Sequence, residues 1–424
     1  MKNDPYWLET APAFTGGSTG DLPARADVVV IGAGFTGVSA ARSLALAGVD
    51  VVVLEAGRIQ GEASGRNGGH CSPGTAQGFA DLISKYGLET AKRYNQAYDD
   101  AVEFVAHVVD EERIDCDFLR CGKLKLASKA KHVPGLVRSH NAMRQHLGAP
   151  VELLSASDLR QELASDAFHG GLLDPRGAQM HMGKFGTGLA MAAVRHGARI
   201  FEYTAVTGLN RLDGDRYRIT TAKGVIEAGR VVLATGRSDH GPFDWFQRRI
   251  VPVGSFVIVT EPIPDLLDQV LPRRRNYVTS LNFGNYFRTT RDHRLVWGGR
   301  ARFARSNPAS DMKSGSILQG NLRQLLPAIQ NPRIDYCWDG LVEATADRLP
   351  GAGKHDGLYY ALAYSGHGTQ MSVYLGDLMA DIVRGVERRN PWARESWPEV
   401  PGYAGRSWFL PLAGLYFRIK DTFY

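Results

Sequence analysis

The first strong pattern in the chain is an unbroken apolar run, Val28 to Ile31, with no polar residue to mark a solvent face. Such a run fits a strand buried on both sides. A helix is expected from about Phe35 to Ala47, with Gly48 as its stop, followed by a second buried strand, Val51 to Leu54, ending in Glu55. From Gly78 to Arg113 apolar positions recur at three- and four-residue spacing, so that stretch is expected to be helical. CGKLKLAS (121–128) reads as a strand, Val133 to Leu147 as a helix, and LSASDLRQEL as a helix with Ser157 and Asp158 as candidate caps. A further helix stops at Gly197, and a strand begins near Arg199. RYRITTAKGVIEAGRVVLATG predicts a hairpin leading into a buried strand. Residues 237–336 form a strand-rich block whose alternation, as in SFVIVTEP, fits an antiparallel sheet covered on one face. No internal repeat or low-complexity segment interrupts this order.

Between the first strand and helix, Gly32, Gly34 and Gly37 give G-x-G-x-x-G. Gly32 makes the tight turn, Gly34 lets backbone amides approach a pyrophosphate, and Gly37 lets the helix pack on its strand. Phe35 and Thr36 open the helix, whose N-terminus offers unpaired donors and a positive dipole end to phosphates. Glu55, followed by Ala56, is placed to accept hydrogen bonds from a ribose diol. Together these parts predict a Rossmann unit. The unit alone does not choose between NAD and FAD.

A second glycine-rich stretch, GEASGRNGGH (61–70), follows directly. Glycine at this density disfavours a helix or strand. Ser64 and Arg66 can bond to phosphate oxygens or a ribityl chain, with Asn67, Gly68, Gly69 and His70 beside them. A plain surface loop with a charged Arg fits the same residues.

Composition narrows the class. The 424 residues are 44% hydrophobic and 22% charged, with a formal net charge of +6. The basic residues are scattered, so nucleic acid is not an expected partner. The four cysteines (Cys71, Cys116, Cys121, Cys337) lack C-x-x-C spacing, so no metal site is expected and a reducing, cytoplasmic location is. The N-terminus lacks the apolar core of a signal peptide, and no run is long enough for a membrane span.

Six segments in order resemble the DAO-type FAD-dependent oxidoreductases, the glycine oxidase and D-amino-acid oxidase superfamily. They are the leader PYWLETAP with SGRNGG, VVLATG (231–236), NYFRTTRDHRLVWGGR (285–300), WDGLVEATADRLPGAG (338–353) and YSGHGTQMSVYLGDLMADIV (364–383), besides the first glycine turn. The leader and SGRNGG look like the γ-glutamylputrescine oxidase branch. The resemblance implies an α/β fold with an α+β cap: a Rossmann-type FAD-binding domain and an antiparallel-sheet substrate domain. It assigns residues 1–85, 150–236 and 337–424 to the FAD domain and 86–149 and 237–336 to the cap. It implies that Ser64 to Gly69 runs along the FAD pyrophosphate and ribityl chain, and that Val206 lies beside the adenine. Thr235 and Gly236 end the strand returning to the cofactor. Gly366, His367, Gly368, Thr369 and Gln370 face the flavin, His367 either positioning or catalytic.

The resemblance further implies noncovalent FAD. Sarcosine oxidases attach flavin through a Cys in the segment matching Leu341 to Thr345, where this chain has none; Cys337 stands too early. His70 lies about three residues past the histidyl attachment point of the dimethylglycine dehydrogenase branch and is kept as a flavin neighbour. Gln370 stands where sarcosine oxidases place a carboxylate-binding Lys. The implied activity is oxidation of a C–N bond by hydride transfer to flavin N5, with molecular oxygen reduced to hydrogen peroxide. Tyr286 and Arg288 are the catalytic candidates. Arg288 and Arg300 can clamp a substrate carboxylate, with Tyr286 and Gln370 completing the pocket. γ-Glutamylated polyamines come first as substrates, and cyclic imino acids such as L-pipecolate or proline second. The aromatic, basic tail from Ser407 to Tyr424 either packs on the FAD domain or makes a weak peripheral contact with the inner face of the membrane, which would suit a dehydrogenase. An idle flavin-binding subunit and an NAD-dependent dehydrogenase are the other classes weighed.

Overall fold

Val51–Leu54 is almost wholly buried, and the reason is its place inside a parallel sheet. Arg25–Ile31 lies between it and Gly224–Leu233, in parallel register on both sides (Val30 opposite Val53 and Val232). Arg199–Phe201 extends the sheet beyond Val51–Leu54, and Val206–Arg211 and Tyr217–Thr221 form the other edge. Leu358–Leu362 joins in parallel at the end of Gly224–Leu233. The computed structural model describes residues 1–236, 241–299, 308–329, 331–393, 397–403, 405 and 409–423.

The second sheet, also eight-stranded, runs in the order Ile334–Ala344, Val251–Thr260, Leu295–Gly299, Asn285–Thr289, Asn276–Thr279, Lys123–Leu126, Gly170–Asp174, Glu152–Ser155. All its pairings are antiparallel except that of Asn276–Thr279 with Lys123–Leu126. One face packs Leu124, Leu126, Phe256, Ile258, Tyr277, Phe287 and Trp297 into a single core. By the two-residue period of a strand, Lys123, Lys125, Tyr286 and Arg288 stand on the other face. That face is turned to the nucleotide-type domain, because Arg288 Nε donates to the Gly68 carbonyl at 2.9 Å and Lys123 Nζ to the Pro73 carbonyl at 3.2 Å.

The expected domain division shifts in three places. Glu152–Ser155 and Gly170–Asp174 belong to the cap sheet, as does Ile334–Ala344, which crosses the expected boundary at 337. The helix Leu88–Glu111, assigned to the cap, shares a core with Gly368–Arg384; Tyr98 and Leu375 are both in it. Strand partners and helix docking are set by long-range contacts, which local pattern does not encode. Local details shift too. The predicted helix from Gly78 to Arg113 is broken at Gly87, whose φ is +77°. The cap of Ala156–Leu159 is Ser155, which forms a reciprocal capping box with Asp158, and the helix is a single turn.

The tail helix Leu410–Phe423 docks on the cap. Asp421 accepts from the Asn282 amide at 2.9 Å and the Phe283 amide at 2.6 Å, and Leu410 joins Val251, Val253 and Tyr403. Leu412, Leu415, Tyr416 and Ile419 remain exposed at helical spacing. Among the described residues no helix is long and apolar enough to cross a membrane.

Candidate active site

The glycine turn has the tightness that its sequence implies. A Cβ on Gly37 would meet the Gly32 carbonyl oxygen at 1.8 Å, and Gly32 itself has φ +103°. The helix therefore starts hard against the strand, at Phe35, with Gly34 as its cap. Glu55 turns back onto this loop, its Oε2 accepting from the Ala33 amide at 2.6 Å and its Oε1 from the Gly57 amide at 2.8 Å; Ala56 beside it is exposed. Burial raises the Glu55 pKa. Thr36 Oγ1 meets the Tyr364 hydroxyl at 2.6 Å, which ties the first glycine turn to the last.

The segment Gly61 to His70 corrects one expectation and refines another. It does contain a helix, the single turn Ala63–Arg66, and His70–Cys71 is a short strand. Ser64 reaches the fingerprint: its Oγ accepts from the Phe35 amide at 3.0 Å. Arg66 does not join it. Its guanidinium donates to the Gly61 carbonyl at 2.9 Å and lies 3.2 Å from Asp339, on the cap strand Ile334–Ala344. Asn67 is the stitch of the segment, accepting from the Gly69 amide at 2.8 Å and donating to the Ser64 carbonyl at 2.9 Å. Its own carbonyl accepts from Trp7 Nε1 at 2.7 Å, so the leader is built into the site.

Gly68 and Gly69 are required by the cap. A Cβ on Gly68 would lie 2.4 Å from Tyr286 Cε2, and one on Gly69, at φ +78°, would lie 2.2 Å from Arg288 Nη2. Arg288 is buried and bonded to main chain throughout: Nε to Gly68, Nη2 to the Met180 carbonyl at 2.7 Å, and Nη1 to the Thr289 carbonyl at 3.2 Å. Its plane lies over Trp7, 4.8 Å from the ring centre. It is a brace between domains, which corrects the expectation of a carboxylate clamp. Arg300, the proposed second arm, lies outside the described residues. A cavity of about 620 Å³, lined by Trp7, His181, Lys184 and Arg288, opens beside this brace but includes none of the glycine-turn residues.

The last glycine turn delivers Gly366 (φ +90°), His367 and the helix starting at Gly368. Thr369 Oγ1 lies 3.4 Å from Asn67 Oδ1, and Gln370 Nε2 donates to the Ser72 carbonyl at 2.6 Å. Gln370, 2% exposed, is thereby held against the main chain instead of being presented as a free amide. His70 stands edge-on to Tyr286, with ring centres 5.5 Å apart. His70 Nε2 and His367 Nδ1 are buried with no hydrogen-bond partner among the described residues. Burial and nearby cations hold both rings neutral, His367 at about 3 and His70 well below its usual value. Thr235 and Gly236 end the central strand, and a Cβ on Gly236 would strike Glu343. Val206 starts an edge strand and is buried.

Sequence reasoning missed Lys123, Lys125, Arg348 and Tyr98. Tyr98 lies on the helix Leu88–Glu111, edge-on to His367 at 6.1 Å. The alternation in CGKLKLAS was the available signal, since it sets two lysines on one face of a strand whose other face is core.

The model of the DAO family, described as FAD dependent oxidoreductase, matches residues 27–382. The chain belongs to this family. It is 32% identical over 424 residues to γ-glutamylputrescine oxidoreductase of Escherichia coli (strain K12), covering 98% of this chain and 97% of that protein. A glycine oxidase of Geobacillus kaustophilus is 26% identical over 377 residues, covering 86% of this chain and 94% of the relative. Its crystal structure superposes with a TM-score of 0.72 at 23% identity, covering 90% of this chain and all of that one; L-proline dehydrogenase from P.horikoshii gives 0.69 at 22%, covering 88% and 98%. The FAD-binding α/β architecture with its cap follows, as does oxidoreductase activity on amines or amino acids.

This DAO-family chain has a donor set that fits FAD. The first-turn amides of the helices that start at Phe35 and Gly368 have no intrahelical acceptors, and that of Phe35 is taken by Ser64 Oγ. Two imidazole nitrogens without a hydrogen-bond partner among the described residues lie nearby, that of His70 beside Tyr286 and that of His367 beside Tyr98. Cys337, the cysteine nearest the family's attachment segment, packs in the cap core on the opposite face from Trp338.

Proposed function

We propose that the protein oxidises the C–N bond of an amine bearing a carboxylate, with γ-glutamylputrescine-type compounds as substrates. The full-length likeness to γ-glutamylputrescine oxidoreductase carries this reading. FAD, bound noncovalently, supplies the two-electron acceptor, and molecular oxygen takes the electrons on to hydrogen peroxide. The C–N bond loses two electrons, the α-hydrogen and the nitrogen-bound proton; the imine product then adds water and splits to a carbonyl compound and, from a primary amine such as that of γ-glutamylputrescine, ammonia.

The chain's own residues bind and orient. Tyr286, whose hydroxyl is 3.4 Å from Ser255 Oγ, forms the cap wall. Arg288 fixes that wall to Gly68 and so sets the width of the site. His367, neutral down to about pH 3, presents an uncharged ring, which favours positioning over proton transfer. Anaerobic addition of γ-glutamylputrescine, L-pipecolate, L-proline and sarcosine to the FAD-loaded protein tests the reading. Bleaching by the first and recovery in air support it, and bleaching by L-proline alone would replace it.

One observation favours a second reading. The exposed stripe Leu412, Leu415, Tyr416 and Ile419, with Arg418 and Lys420 on the same helix, suits a weak contact with an anionic membrane surface. Under that reading the electrons pass to a membrane acceptor, and reoxidation in air is slow.

A further inference from the structure

Among the described residues three cations near the site, Lys123, Lys125 and Arg348, have no acidic partner in hydrogen-bond or ion-pair contact. Lys123 and Lys125 stand two residues apart on one strand, on the face opposite Leu124 and Leu126. Lys123 donates to the Pro73 carbonyl, next to the Ser72 carbonyl that holds Gln370. Farther along the same segment, Gln77 Nε2 donates to the Asp347 carbonyl at 2.8 Å and so fixes the turn that carries Arg348. Residues 70–77 are thus bracketed by the lysine strand and the arginine turn, with His70 and Gln370 between.

Arg348 has φ +60°, an unfavourable conformation for a side chain of its size. Among the described residues neither the Arg348 nor the Lys125 side chain makes a hydrogen bond or an ion pair, although the Arg348 amide donates to the Thr345 carbonyl at 3.2 Å. Four buried or half-buried arginines, Arg42, Arg176, Arg275 and Arg388, each meet at least one carboxylate. These charges act on each other and on the site, with Asp174 near Lys123 and Asp81 near Lys125 offsetting part of them. Lys123, Arg348 and Lys125 all help to lower the His367 pKa below what burial alone does, and Arg348 lowers that of Lys125. The Lys125 and Arg348 side chains are exposed, and partial desolvation lowers the pKa of both. Neighbouring cations without a bonded acid are stabilised by an anion.

We infer that Arg348, Lys125 and Lys123 form a subsite for a carboxylate at the far end of the substrate, selecting amines that carry one over the free diamine. This rests on the substrate reading above. A γ-glutamyl amide carries its carboxylate many bonds from the reacting amine, whereas proline and sarcosine carry it on a carbon bonded to the amine nitrogen.

The probe is glutarate, titrated into the FAD-loaded protein and followed by flavin absorbance and by calorimetry. Wild type is compared with Arg348→Asn, Lys125→Gln and the double variant; Asn tolerates the left-handed backbone, so folding is preserved. The expected result is binding in wild type, weakened about 10- to 100-fold in the double variant, the range for lost charge-assisted hydrogen bonds. No binding in wild type, or an unchanged dissociation constant in the double variant, would overturn the subsite. Anaerobic reduction by γ-glutamylputrescine runs in parallel. Glutarate binding that the variants weaken, without reduction of wild type, would sink the substrate reading and keep the subsite. Reduction of wild type with glutarate binding insensitive to the variants would do the reverse.

Discussion

Arg288 on the cap donates its Nε hydrogen to the carbonyl of Gly68 at 2.9 Å, while its Nη2 lies where a Cβ on Gly69 would have to go. One side chain thus explains the glycine at 69, while Tyr286 beside it explains the one at 68, and Arg288 joins the two sheets across the candidate active site. Its guanidinium satisfies three buried carbonyls, from Gly68, Met180 and Thr289. That makes the cap's position a property of main-chain hydrogen bonding, independent of substrate.

Gly69→Ala is expected to force Arg288 out of this arrangement. Left-handed strain and overpacking together cost about 2–4 kcal/mol. Thermal unfolding of the FAD-loaded protein would show a large drop in midpoint. Gly48→Ala, at a similar positive φ with open space around its Cβ, should lose only the strain component.

Ser64→Ala removes the acceptor from the Phe35 amide at the helix start. The loss of such a cap costs about 1 kcal/mol. Apoprotein titrated with FAD, followed by quenching of flavin fluorescence, should show weaker binding. Equal affinity in both proteins would remove Ser64 from the cofactor site.

Acid should weaken the fold through His181. Burial, with Lys184 and Arg288 nearby, lowers its pKa to about 4, whereas the unfolded value is about 6.5. Between those values the unfolded chain binds the extra proton, so stability falls as pH falls, by up to about 1.4 kcal/mol per pH unit. The stability is fully present above about pH 6.5. His181 caps the helix Met182–Arg195 by accepting from the Lys184 amide at 3.2 Å, a role that Asn can keep. Denaturant unfolding of His181→Asn should therefore show a shallower loss between pH 6.5 and 4.

Replacing Leu412 and Leu415 with Gln changes exposed positions, so the unfolding midpoint should hold within about 0.5 kcal/mol. Sedimentation with vesicles of anionic phospholipid tests the stripe directly. Wild type should pellet weakly and the double variant less. Equal recovery in the supernatant would leave the helix with no membrane role.

Much of the cofactor side was legible because its signals are local. Gly32, at φ +103°, and Gly37, pressed on the Gly32 carbonyl, are glycine for reasons contained within one strand–turn–helix, and the buried run Val51–Leu54 marks its own strand. The cap side was not. Arg288 has the composition of a carboxylate clamp, and nothing in NYFRTT says that three carbonyls from distant segments occupy it. Arg66 likewise reads as a phosphate ligand until Asp339 is brought beside it from a strand far along the chain.

The sequence by itself determined the nucleotide-type βαβ unit, the order of the family's motifs and the glycine turns, because short-range sterics and hydrogen bonding settle those. The tertiary structure alone decided which cations are spent on protein partners and which are left over. Arg66 and Arg288 are consumed by contacts between domains and Lys123 donates to the Pro73 carbonyl, while among the described residues the Lys125 and Arg348 side chains make no hydrogen bond or ion pair. Whether a charge is free depends on what folds against it, and that is a long-range property.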